Sequence, residues 1–180
     1  MSKIYTGFGD NGKTRRLDGK IVKKNDPIIE VNGIIDECNS TIGIIRSINK
    51  NELLETILKK IQNKLFIAGA EVSSFNIDST TKIKRNDIKE IEEIIDDIDL
   101  DLDKLSNFIL PAGNLSSSHL HLARSVCRKI ERSLIEINYD QHSKNYLLPF
   151  FNRLSDLFFV LARYANKIDK MKDEIWDNKN

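Results

Sequence analysis

The sequence predicts an all-α fold: a five-helix up-and-down bundle behind a glycine-rich N-terminal loop. Three observations carry this. Apolar residues recur alternately three and four apart along five separate stretches. Short links join the stretches, so consecutive helices pack antiparallel. Four of the 8 glycines (Gly7, Gly9, Gly12 and Gly19) fall before the first stretch. The 180 residues are expected to form one domain: 1–26 as the loop, 27–167 as the bundle and 168–180 as a C-terminal tail.

Residues 1–26 lack an amphipathic period and are open to three readings: ordered loop, short hairpin or flexible tail. Pro27 then opens a helix whose seam is Val31, Ile35, Cys38, Ile42 and Ile45, with Asp36, Asn39 and Gly43 beside it. Asn49–Asn51 is a break. The second helix spans about Glu52 to Val72, with Leu54, Ile57, Leu58, Ile61, Leu65 and Ala68 inward. Residues 73–81 read as a polar linker. A third, acidic helix covers about Asp87 to Ile98, followed by a charged connection at 99–106. Pro111 and Gly113 punctuate the next loop. The fourth helix follows, N-capped from Ser116–Ser118, with its seam at Leu120, Ala123, Cys127, Ile130, Leu134 and Ile137. Residues 139–144 read as a turn. The fifth helix runs from about Asn145 to Asn166, with Pro149 tolerable only in its first turn. The tail is charged and carries the lone Trp176.

Composition excludes several classes. Lys+Arg is 28 against Asp+Glu 27, which leaves no basic excess for nucleic acid or an anionic membrane. The strongest apolar run, Leu157–Ala162, is far too short to span a bilayer. Residues 1–20 show no signal-peptide pattern. Cys38 and Cys127 both fall on helical seams, as reduced core thiols do. A cytoplasmic location is the expectation.

Candidate chemistry is sparse. Gly7 to Thr14 satisfies the P-loop pattern G-x-x-x-x-G-K-(S/T), yet only six residues precede it and no amphipathic helix follows Thr14. The P-loop fold is therefore rejected. Closely spaced glycines can still turn backbone N–H groups onto phosphate oxygens. Arg124, Arg128 and Glu131 share one stripe, since positions four and seven apart lie within about 40° on a helix. That stripe is either a solvated charge ladder or an anion-binding face. Asn152 reads as an interhelical hydrogen-bond partner. The residues three before His119, His121 and His142 are Ser116, Ser118 and Tyr139, so the Glu-x-x-His pairs of a di-metal bundle are absent. No C-x-x-C suggests zinc. No nucleophile–base pair is apparent.

Five segments together resemble the PduO-type family of ATP:cob(I)alamin adenosyltransferases. Ile4-Tyr5-Thr6 with Gly9 to Thr14 is similar to I-Y-T-x-x-G-D-x-G-x-(T/S). Val31–Gly43, with Gly33, Asp36, Glu37, Asn39 and Ser40, resembles G-x-x-D-E-L-N-S-x-I-G. Asn107–Gly113 resembles N-F-I-L-P-G-G. Arg124–Arg132 resembles R-T-V-C-R-R-A-E-R, and Phe151–Asn166 resembles L-N-R-L-S-D-L-L-F-V-L-A-R-Y-A-N.

The resemblance implies a ferritin-like bundle that transfers the 5′-deoxyadenosyl group of ATP to the cobalt of cob(I)alamin and releases triphosphate. It implies a homotrimer with active sites between subunits, and ATP held with a divalent cation, normally magnesium. It also implies a cob(II)alamin reductase as partner and an adenosylcobalamin-dependent enzyme downstream. By position, Thr6, Gly7, Phe8, Gly9, Asp10, Gly12, Thr14, Arg15 and Lys24 match the nucleotide loop. Arg128, Glu131, Arg132 and Asn152 match the ATP grip. Phe108 matches the aromatic closing the lower axial face of the corrin, and Asp36 and Arg124 match a salt-bridged pair linking subunits. Arg128 and Phe108 are the expected catalytic pair, and no protein side chain is expected to ligate the metal. Two departures stand out: Gly7-Phe8 replaces a polar pair, and Ala112 replaces the first glycine of P-G-G. The alternative reading is a non-catalytic trimeric carrier or regulator that binds nucleotide or corrinoid.

Overall fold

The computed structural model describes residues 3–74, 82–137 and 146–177. The expected helices are present as α1 (Pro27–Ile48), α2 (Glu52–Ser73), α3 (Arg85–Asp99), α4 (Leu115–Glu136) and α5 (Leu147–Ile168). Their starts follow capping chemistry. Asp26 accepts from the Ile28 N–H at 2.9 Å with Pro27 behind it, and Asn51 accepts from the Leu54 N–H at 3.0 Å. Asp87 reaches back to the Lys84 N–H at 2.8 Å, so α3 begins two residues earlier than its apolar period.

The cap of α4 differs from expectation. Asn114 fills it, accepting from the Ser117 N–H at 2.7 Å, and the serines lie within the first turn. Asn114 is extended while Ser116 is already helical, and only a non-helical residue can aim its side chain at the following amides. Helix α5 begins at Leu147 rather than Asn145, with Pro149 inside the first turn where its missing N–H costs nothing. Ser73 still belongs to α2. Residues 75–81 of the expected linker and the expected turn at 139–144, including His142, lie outside the described residues.

Helix α4 packs between α1 and α5, α2 lies on α1, and α3 lies on α5. Every predicted seam residue of α1 and every predicted inward residue of α2 is buried, as are Leu120, Ala123, Cys127, Ile130 and Leu134 of α4 and Leu147, Phe150, Leu154, Leu157, Leu161 and Ala165 of α5. Each such aliphatic or aromatic side chain contributes roughly 1.5–3 kcal/mol when fully buried. Ile137, Ile88, Ile94 and Ile95 are half-buried at the edge of this core. Cys38 and Cys127 are free and buried. Burial, then a hydrogen bond with Cys38, pushes the Cys127 thiol well above its ordinary pKa.

The N-terminus is a hairpin, resolving the three readings. A 3-10 turn at Phe8–Asn11 leads into β1 (Lys13–Arg15), paired antiparallel with β2 (Ile21–Lys23). Gly19 takes φ 82° at its tip. The tail does not simply run on. Lys170 adopts φ 56°, with its N–H on the Lys167 carbonyl at 3.0 Å and the Met171 N–H on the Asn166 carbonyl at 2.9 Å. This Schellman-type stop turns the chain back along the loop before α4.

Candidate functional site

The loop before α4, the returning tail, and the faces of α4 and α5 enclose a cavity of about 1230 Å³. Phe108, Trp176, Phe159, His121 and Arg124 line it. The Leu110 N–H donates to the Glu174 carbonyl and the Trp176 N–H to the Phe108 carbonyl, both at 2.8 Å. Ile109 and Ile175 form the antiparallel bridge between these bonds. The Phe108 and Trp176 rings meet edge to face, centroids 6.4 Å apart. Phe108 stays 79% exposed, an unusual cost for an aromatic ring that offers the cavity a free apolar face.

The backbone at Ala112 does not call on glycine. Lys170 is the non-glycine residue with positive φ among those described, so Ala112 does not need the missing freedom. Gly113 does: its φ is 122°, and a Cβ there would stand 2.0 Å from Asn166 Oδ1.

His121 is a site residue that the sequence reading does not single out. It is buried, its ring meets Phe159 edge to face at 6.0 Å, and neither ring nitrogen has a hydrogen-bond partner among the described residues. Burial, then the charge of Arg124, lowers its pKa, while Asp173 opposes them. Burial and the Arg124 charge both favour the neutral imidazole at the floor of the cavity. Its signal lies in spacing: three before Arg124, it shares the arginine stripe. Trp176 is equally hidden, because nothing in a charged tail predicts its return.

Farther along the stripe stand Arg128, Glu131 and Arg132. Asn152 of α5 donates to Glu131 Oε1 at 3.0 Å, so those two expected ATP contacts are brought together. Arg128 and Arg132 are exposed, and neither ion-pairs among the described residues. An unpaired guanidinium next to an oriented amide and carboxylate can grip phosphate oxygens bidentately.

The nucleotide-loop residues form a second group. Gly7 and Gly12 bracket the 3-10 turn with φ 71° and 70°. The Phe8 N–H donates to Thr6 Oγ1 at 3.3 Å, and the Asp10 N–H to the Gly7 carbonyl at 3.2 Å. The Lys24 N–H holds the Gly12 carbonyl at 2.9 Å, and its ammonium lies over Gly9. The Arg15 guanidinium sits 5.8 Å from the Phe8 ring centroid and donates to the Gly19 carbonyl at 3.0 Å. Thr14, Arg15, Asp36 and Asn39 line a cleft of about 580 Å³ between the hairpin, α1 and α2. That cleft contains none of Arg128, Glu131, Arg132 or Asn152. Among the described residues Asp36 and Arg124 do not pair with each other; α1 instead meets α4 through Glu37 and Lys129, 3.3 Å apart.

No group of three or more His, Cys, Asp or Glu among the described residues is arranged to hold a metal ion. No described helix is long and apolar enough to cross a membrane.

The chain matches the profile of the family described as cobalamin adenosyltransferase over residues 4–165. It is 36% identical over 179 residues to a cobalamin adenosyltransferase of Cupriavidus metallidurans, covering 98% of this chain and 95% of that one. It is 37% identical to a corrinoid adenosyltransferase of Mycobacterium leprae, covering 92% of each. Among solved structures it is similar to a variant PduO-type ATP:corrinoid adenosyltransferase from Lactobacillus reuteri complexed with cobalamin and ATP. The TM-score is 0.91 at 34% identity, covering 98% of this chain and 97% of that one. A second variant of that enzyme, complexed with ATP, gives a TM-score of 0.89 at 36% identity, covering 97% of this chain and 100% of that one. On sequence and structure alike, the chain belongs to the cobalamin adenosyltransferase family.

Proposed function

We propose that this protein transfers the 5′-deoxyadenosyl group of ATP to the cobalt of cob(I)alamin, releasing triphosphate. One observation carries the reading: helix α4 presents an apolar cavity at its start and free arginines farther along the same face. The cavity, walled by Phe108, Phe159 and Trp176, suits a large corrinoid. Arg128 follows Arg124 by four residues and Arg132 by eight, about 6 and 12 Å along the axis. One rigid helix therefore places both substrates, and such orientation is worth several powers of ten in rate.

In the reaction, the Co–C bond forms with the electron pair of cobalt(I) while the C5′–O bond breaks. That pair of bonding electrons leaves with the triphosphate. Cobalt is the nucleophile, so the protein supplies neither base nor nucleophile. Negative charge grows on the leaving group, where Arg128, Lys24 and the amides of the glycine turn would meet it. Magnesium fits this donor set only as ATP's own cation. Glu131 is the carboxylate nearest the grip, and Mg²⁺ binds typically through one or two carboxylates plus phosphates. Bound there, it would neutralise the phosphates. Phe108 acts differently, its apolar ring keeping water and the dimethylbenzimidazole tail off the lower face. Loss of an axial donor favours reduction of Co(II) to Co(I).

The reading includes a homotrimer. The hairpin and the α4 grip line separate surfaces, and Asp36 and Arg124 do not pair with each other among the described residues, so a neighbouring subunit would complete each site. The loop residues Thr6 to Lys24 of one subunit would then face Arg128 of another. It also includes a cob(II)alamin reductase, an adenosylcobalamin-dependent enzyme as recipient, and a cytoplasmic setting in keeping with free thiols. The test mixes protein, ATP, magnesium and chemically reduced cobalamin under anaerobic conditions. The absorbance of the Co–C product is expected. Binding of both ligands without that product would leave the carrier reading.

A further inference from the structure

Phe108 is the residue on which the corrinoid side of the reading turns, yet little of its own helix scaffold holds it. Its carbonyl accepts from Trp176, and two residues on the Leu110 N–H donates to Glu174. Both bonds run to the returning tail. What fixes the tail therefore fixes Phe108.

Beyond Asp169, which accepts from Asn114 Nδ2 at 2.7 Å where α5 ends, Asp173 ties the returning tail to α5. Asp173 Oδ2 accepts from Arg163 Nε at 2.8 Å, and its Oδ1 accepts from Asn166 Nδ2 at 3.2 Å. Arg163 and Asn166 are buried on one face of α5, at 6% and 1% exposure. Each also binds the loop that carries Phe108. Arg163 donates to the Asp103 carbonyl at 2.6 Å, and Asn166 Oδ1 accepts from the Asn114 N–H at 3.0 Å. Lys167, on the same face, donates to the Asp101 carbonyl. Asp99 lies 4.0 Å from Arg163 but is largely exposed, so Asp173 is the close counter-charge of a buried guanidinium.

We propose that Asp173 is a positioning residue. Clamped by Arg163 and Asn166, it anchors the tail to α5 and thereby sets where Phe108 stands at the corrinoid cavity. The proposal rests on the reading of Phe108 given above. Asp173 does not line the cavity; it acts through residues 174–176. Arg163 is left untouched in the test, since removing it would strand buried partners and endanger folding.

The variants are Asp173→Asn, Asp173→Glu, Phe108→Ala and the double variant of Asp173→Asn with Phe108→Ala, each in the full chain. Folding is checked by circular dichroism. The lone Trp176 reports the anchor directly. It is 49% exposed, so release of the tail should raise its acrylamide quenching constant about twofold. Asp173→Asn is expected to show that rise, with a corrinoid KM about tenfold higher and an unchanged ATP KM. Asp173→Glu should recover part of both. Added to Phe108→Ala, Asp173→Asn should cost less than twofold more, because both changes act on one element. Unchanged quenching in Asp173→Asn, or an ATP KM that rises in parallel, overturns the anchor. A deficit in Phe108→Ala with wild-type turnover in Asp173→Asn also overturns it. Wild-type turnover in Phe108→Ala itself would instead overturn the reading of Phe108.

Discussion

Replacing Gly113 by Ala should be among the most damaging small changes in this chain. The added methyl would lie 2.0 Å from Asn166 Oδ1 and 2.5 Å from both Cγ and Nδ2. Ordinary contact needs about 3.4–4.0 Å, so the amide must move by more than an ångström. Asn166 is 1% exposed and cannot swing into solvent. Moving it breaks its bonds to the Asn114 N–H at 3.0 Å and to Asp173 at 3.2 Å. Buried polar groups left unpaired cost about 1–3 kcal/mol each. A non-glycine residue held at φ 122° adds strain of order 1–3 kcal/mol. Reduced unfolded-state entropy offsets about 0.4–1 kcal/mol. Taking the low end of each cost, the net loss is about 2–3 kcal/mol. At roughly 2–4 °C per kcal/mol for a chain of this size, the midpoint should fall by about 4–12 °C. Thermal and urea unfolding at fixed protein concentration measure it. Ala112→Gly is the control: it restores the family's glycine where positive φ is not used, and should lose about 0.4–1 kcal/mol. A Gly113→Ala variant within about 0.5 kcal/mol of the parent would refute the reasoning.

Arg128→Ala should cost about 2–4 kcal/mol in the transition state, as deletion of one preorganised donor does; a loss under about threefold in kcat/KM would remove it from the grip. Phe108→Ala should leave ATP binding intact and cut turnover of cob(II)alamin when a reductase is coupled, which a spectrophotometric rate measures. The His121 pKa is lowered in the fold, so between the folded and unfolded values the unfolded chain binds the extra proton. Stability is therefore full above about pH 6.5 and is lost as pH falls from there through the folded pKa. Urea midpoints across that window should flatten in His121→Gln. Cys38 and Cys127 should resist an aromatic disulfide reagent in the native protein and react together on unfolding, since burial raises the Cys127 thiol.

The helices were legible because burial obeys their period. The alternation of three and four placed Cys38, Leu65, Cys127 and Ile130 inside, and all are fully buried. Helix starts were less legible. Asn114 and Ser116–Ser118 are all good caps by type, and only the backbone angle decides among them. The stripe on α4 was legible as spacing but not as purpose; sequence patterns do not say whether a charged face meets water or a ligand. Asn152 was readable as a hydrogen-bond partner, and its bond to Glu131 is there. The cavity wall was hidden. Trp176 and Asp173 reach Phe108 and Arg163 only through a chain reversal at Lys170, a non-glycine residue in a left-handed conformation that propensity disfavours. A second subunit facing the hairpin, as proposed above, is equally beyond any reading of one chain's periodicity.

The most direct measurement is a single-turnover stoichiometry. Enzyme sites in slight excess over chemically reduced cobalamin, with ATP and magnesium, are quenched, and Co–C product, triphosphate, diphosphate and phosphate are counted. The account predicts one intact triphosphate for each Co–C bond formed, because C5′–O is the bond that breaks. Cleavage to diphosphate or phosphate in step with product, or tight binding of both substrates with no Co–C bond, would contradict it.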